Sequence, residues 1–148
     1  MRSTITPPEG QRIDLAKALL RKDMTGNEIA KTVVDEAFDV HEGIGPGLLE
    51  NVYEIILADE LEQRGSSVCR KVPVVVSYRG HVLDEGFRAD MIVSDKVIVE
   101  LKSLETVKDV YKMQLLTYLK LSGKKLGLLI NFGEPLIKDG IKRIVNGL

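Results

Sequence analysis

The 148 residues, 44% hydrophobic and 29% charged, suit one domain with an ordinary core. There is no apolar run long enough to span a bilayer and no hydrophobic leader; with the single Cys69 and no Cys/His cluster for zinc, a cytoplasmic protein without membrane contact is expected. The formal net charge of −1 counts weakly against strong non-specific duplex binding and favours self-association, so a homodimer is a candidate assembly.

Residues 1–24 read as an N-terminal extension: an irregular lead with Pro7, Pro8 and Gly10, then a short candidate helix over 11–22. The domain proper is expected over 25–148. Thr25-Gly26-Asn27-Glu28 resembles a capping box, and Ile29, Val33, Ala37 and Val40 follow at helical spacing. Gly43-Ile44-Gly45-Pro46 should stop that helix. A second helix is predicted from about 47 to 64, with Leu49, Val52, Tyr53, Ile56 and Leu57 as its core stripe and Glu50 at the edge.

Strand signals come next. Val72, Val74, Val76 and Tyr78 alternate, Arg79-Gly80 is a tight turn, and a strand is predicted over 81–93. In it Phe87, Ala89, Met91 and Val93 are expected on one face, with Arg88, Asp90 and Ile92 on the other. Ser94-Asp95-Lys96 turns the chain. A third strand then places Ile98, Glu100 and Lys102 opposite Val97, Val99 and Leu101.

Residues 106–122 are predicted helical, with Val107, Val110, Tyr111, Gln114, Tyr118 and Leu121 sharing a face and Gly123 closing it. Leu126 to Phe132 is an apolar run of buried-strand length, and Ile141 to Val145 adds a short last strand. The expected architecture is α/β, a mixed β-sheet flanked by helices.

Asp90 and Glu100 fall on neighbouring antiparallel strands. Where their faces match, the two carboxylates can share one Mg²⁺ or Mn²⁺ ion, completed by the Leu101 carbonyl, waters and a phosphate oxygen. Lys102, on the same face, can position a water or stabilise charge on a phosphoryl group. Glu50 would approach from the packed helix, through a water or at a second metal position. Gln114 could hold Lys102 or the water. The blander readings are an exposed Glu-x-Lys strand face, an Asp90 that caps a turn or pairs with Arg88, and a Gln114 bonded to backbone inside the core. His41 and His81 lack metal-ligand partners at helical or strand spacing.

Gly47-x-x-Glu50-x-x-Tyr53 resembles the motif of the GxxExxY proteins, a branch of the PD-(D/E)xK nuclease-like superfamily. The superfamily's Asp position matches Asp90, its (D/E)xK matches Glu100 and Lys102, its helix glutamate matches Glu50, and its Gln-x-x-x-Tyr element matches Gln114 and Tyr118. Ala89 stands where the superfamily name has proline. The resemblance runs from about residue 26 to the C-terminus. It implies a restriction-endonuclease-like core and a metal-dependent nuclease acting on DNA or RNA. The rivals are a catalytically inactive nuclease-fold module that binds a partner, and a small-phosphoester hydrolase.

Overall fold

The computed structural model describes residues 24–147; the expected extension, with its candidate helix over 11–22, lies outside the described residues apart from Met24. The first helix, α1 (Gly26–Ile44), opens on Thr25, whose Oγ1 accepts the Glu28 amide at 3.2 Å. The Thr25 hydroxyl also donates to the Glu28 carboxylate, so the box closes side chain to side chain. Gly45, at φ 87°, ends the helix by donating its amide to the His41 carbonyl.

Helix α2 (Glu50–Gln63) starts three residues later than the sequence predicts. Gly47 has φ 102°, a conformation that glycine tolerates and that keeps residues 47–49 out of the helix. Leu49 is therefore 77% exposed and leaves the predicted core stripe, which runs instead through Tyr53, Leu57, Ala58 and Leu61. Arg64, the C-cap of α2, pairs with the buried Glu36 of α1 at 2.7 Å. Burial raises the Glu36 carboxyl pKa, and the nearby Arg64 charge opposes that shift.

Five strands follow in sequential order: β1 (Val68–Tyr78), β2 (His81–Val93), β3 (Val97–Lys102), β4 (Leu126–Asn131) and β5 (Ile141–Val145). Helix α3 (Asp109–Ser122) connects β3 to β4, and the single turn α4 (Ile137–Gly140), not foreseen from sequence, precedes β5. Among the described residues only β3 and β4 pair in parallel; the other neighbours are antiparallel, so the sheet is mixed. The parallel pair needs a crossover, and α3 supplies it.

Two apolar clusters sandwich the sheet. One joins α1 and α2 to Met91, Val93, Val97, Val99, Leu101, Leu128 and Ile130. The other joins Leu115 and Leu119 of α3 to Ile92, Ile98 and Leu129. Helix α3 thus turns Leu115 and Leu119 inward. The predicted stripe is displaced around the helix: Val110 is exposed, while Tyr111, Tyr118 and Leu121 are half-buried. The helix begins at Asp109, not 106, which leaves Val107 in the preceding loop.

The strict alternation expected for β2 fails at Asp90. Met91 and Val93 belong to the α1/α2 cluster, but Ala89 and Phe87 belong to the α3 cluster. Strand β1 changes face at the same level. Arg70 and its neighbour Lys71 both reach Glu54 of α2, while Val72 and Val74 pack on the α3 side. Register pairs Arg70 with Met91 and Val72 with Ala89, so Lys71 lies across from Asp90. Lys71 has φ 51°, which is strained for a residue with a long side chain. This local twist turns the ribbon over beside the candidate site.

Candidate metal centre

The β2–β3 ladder runs from Val93↔Val97 to Met91↔Val99 and no further. Beyond it, side chains replace backbone partners. The Asp90 amide donates to Glu100 Oε1 at 3.3 Å, and Asp90 Oδ2 accepts the Leu101 amide at 2.8 Å. Asp90 therefore neither caps the turn at Ser94 nor pairs with Arg88, whose partner is Glu85. Both carboxylates are half-buried where the two strands part.

Electrostatics here are unfavourable to two anions. Burial, then the Asp90 charge, pushes the Glu100 carboxyl up to about 8, and a hydrogen bond between the two carboxyls adds to the shift. The Asp90 amide that donates to Glu100 opposes it, and the Lys102 charge opposes it more weakly. Tyr118 also stands in this field: burial, then Glu100 and Asp90, raise its phenol, while a hydrogen bond from Gln114 lowers it. The Tyr118 ring stacks on Phe87 at 3.9 Å.

The Glu100 shift sets a pH dependence of stability. The folded-state pKa lies above the ordinary value of 4.5, so the native state holds this proton more tightly than the unfolded chain. The stabilisation is complete below about 4.5 and is lost as pH rises through about 8. Metal-free protein is expected to lose roughly 1–3 kcal/mol across that window from this group. Urea unfolding at stepped pH checks it; a Glu100→Gln variant should flatten the slope.

Lys102 ends β3, and its ammonium lies over the Tyr111 ring, 4.3 Å from the centroid. Gln114 is exposed and bonds Tyr118, so Lys102 is held by Tyr111. Leu101 has its side chain in the α1/α2 cluster, and its amide serves Asp90.

Glu50 is placed apart. It is the first residue of α2, on the other side of the sheet from α3. It lines a cleft of about 540 Å³ beyond the end of β3, with Gly47, Leu49, Ser103, Leu104, Glu105 and Gly133. Among the described residues no three His, Cys, Asp or Glu side chains gather as one metal-binding group. The structure brings together Asp90, Glu100, Leu101 and Lys102, with Gln114 and Tyr118 at their flank; it does not add Glu50 to the pair.

Tyr53 fixes the segment that carries Glu50. Its hydroxyl donates to the Gly45 carbonyl at 2.6 Å and accepts the Leu48 amide at 3.1 Å. The ring stacks on Phe132 at 4.4 Å. Tyr53→Phe leaves both backbone groups without this partner and should cost about 1–2 kcal/mol in urea denaturation.

Two residues that matter here are not candidates on sequence grounds alone. Tyr111 falls on the apolar face predicted for 106–122; its spacing of three from Gln114 and seven from Tyr118 is the signal that groups it with them. Asn131 falls within the apolar run predicted from Leu126 to Phe132. It is fully buried, and its side chain accepts the Leu104 and Gly133 amides and donates to the Leu104 carbonyl. A polar amide inside a buried strand must find such partners.

The ordered carboxylates, the lysine two residues on and the mixed sheet agree with the sequence comparison, in which a model of the PD-(D/E)XK nuclease superfamily matches residues 27–144. The chain belongs to the PD-(D/E)XK nuclease superfamily. No curated protein and no solved structure matches it significantly. Membership of the PD-(D/E)XK superfamily supports a nuclease-like function and a restriction-endonuclease-like fold.

The donor set of this PD-(D/E)XK domain suits a hard divalent cation. It offers carboxylate oxygens and no thiolate or imidazole, and Mg²⁺ commonly uses one or two carboxylates with several waters.

Proposed function

We propose that this domain is a metal-dependent nuclease that hydrolyses phosphodiester bonds in nucleic acid. The observation that carries the reading is the Asp90–Glu100 pair at the parting of β2 and β3, with the Lys102 ammonium beside it. Asp90 and Glu100 would hold Mg²⁺ or Mn²⁺, with the Leu101 carbonyl as a further oxygen donor. Such an ion supplies Lewis acidity at a phosphoryl oxygen and a more acidic water. Asp90, anchored by the Leu101 amide, keeps one carboxylate oxygen fixed on β3. Lys102 brings positive charge to the oxygens that become more negative as the phosphorus is attacked. Glu50, across the strand end, acts through water, and Gln114 orients the Tyr118 hydroxyl at the flank.

The test combines metal binding with cleavage. Purified protein is titrated with Mn²⁺ and incubated with plasmid, linear, single-stranded and branched DNA and with RNA, in Mg²⁺, Mn²⁺ or EDTA. Metal-dependent cleavage of any of these supports the reading and names the substrate class. Absence of cleavage on every substrate overturns the reading, and absence of Mn²⁺ binding as well favours the partner-binding module.

A further inference from the structure

The Lys102 side chain has four rotatable bonds, and an unrestrained ammonium would spend little time at one place. Among the described residues no carboxylate lies within ion-pair distance of it, although Glu100 is near enough to feel its charge. Its partner is the face of Tyr111, 4.3 Å away. That ring is itself anchored: it lies in the first turn of α3, packs half-buried against the α3 cluster, and its amide donates to the Lys108 carbonyl.

We propose that Tyr111 is a positioning residue for Lys102, holding the ammonium by its ring face where negative charge develops on the phosphoryl group. The inference rests on the functional reading above. A carboxylate partner would fix the ammonium but cancel much of its field and occupy its donors. An aromatic face attracts the cation through the ring quadrupole and leaves the N–H groups on the far side free. Tyr111 thus limits where the charge sits without neutralising it. The phenolic hydroxyl has no part in this, so the role depends on the ring alone.

The experiment compares Tyr111→Phe, which keeps the ring, with Tyr111→Leu, which keeps apolar bulk but has no π face. Two readouts are taken on full-length protein. By NMR, the Lys102 ε-methylene protons should be shifted upfield by the ring current in the parent and in the Phe variant, and return to ordinary values in the Leu variant. In cleavage assays the Phe variant should stay within about threefold of the parent kcat. The Leu variant should lose about tenfold in kcat, with KM and Mn²⁺ affinity unchanged. Unshifted Lys102 resonances in the parent, or a Leu variant with parental kcat, overturn the role while leaving the nuclease reading intact. A Phe variant as impaired as Leu also overturns it and assigns the effect to the hydroxyl. A parent that cleaves nothing overturns the nuclease reading, and the positioning role falls with it.

Discussion

Asp90→Ala is expected to lower metal-dependent cleavage by at least about a hundredfold, a loss typical of removing a group that holds the reacting charges in place. The alanine removes a metal ligand and also the acceptor of the Leu101 amide, so two effects are superimposed. Asp90→Asn separates them. The amide oxygen can still accept from Leu101, but the second negative charge is gone. Cleavage and Mn²⁺ affinity should fall nearly as far as in Asp90→Ala. Metal-free stability at pH 8, by contrast, should rise by about 1 kcal/mol, because Glu100 no longer faces a like charge. A site that is more stable when inactivated marks a constellation kept for chemistry. Urea denaturation in EDTA, set beside cleavage in Mg²⁺, reads both effects. An Asp90→Asn protein that is less stable than the parent at pH 8, or that cleaves normally, contradicts the assignment.

The largest expected structural effect lies at Gly133. A Cβ there would sit 2.2 Å from the Leu104 carbonyl oxygen and 2.6 Å from its amide nitrogen. Both contacts are to backbone, and Asn131 pins the Leu104 backbone through two hydrogen bonds and the Gly133 amide through a third, so neither can easily retreat. Gly133→Ala should therefore cost about 3 kcal/mol or more, with a urea midpoint lower by roughly 1–2 M. Gly43 is the internal control. It lies in α1, nothing stands within 4 Å of its added Cβ, and its φ is ordinary. Gly43→Ala should stabilise by about 0.5–1 kcal/mol. Because Leu104 and Gly133 both line the cleft with Glu50, Gly133→Ala should also disturb that cleft.

The elements that sequence patterning located best are those with one dominant period and clear punctuation. Helix α1 has a cap, a regular apolar face and a glycine stop, and its buried residues include the four expected ones. Strand β3 alternates as read, with Val97, Val99 and Leu101 on one side and Ile98 on the other. The departures have local causes. Positive φ at Gly47 delayed α2 and put Leu49 outside, and a glycine's torsion is not written in its neighbours. The face change at Asp90 lies across the ladder from Lys71, a residue in another strand whose strained torsion carries no compositional signal. Likewise, the position of Glu50 depends on how a helix layer meets the end of a strand, which is a tertiary matter.

Asp90 and Glu100 sit on one short hairpin, ten residues apart and closed by the Ser94–Lys96 turn. The β3–β4 pairing, in contrast, must wait for all of α3 to cross the sheet. Contacts of short sequence separation form early in folding, and those that close long loops form late. The two carboxylates therefore meet while the chain is still assembling, before the α3 layer covers them. Their repulsion, one cause of the raised Glu100 pKa, belongs to the folding barrier as well as to the finished structure. Ionic conditions during synthesis thus bear on how quickly this domain reaches its native state.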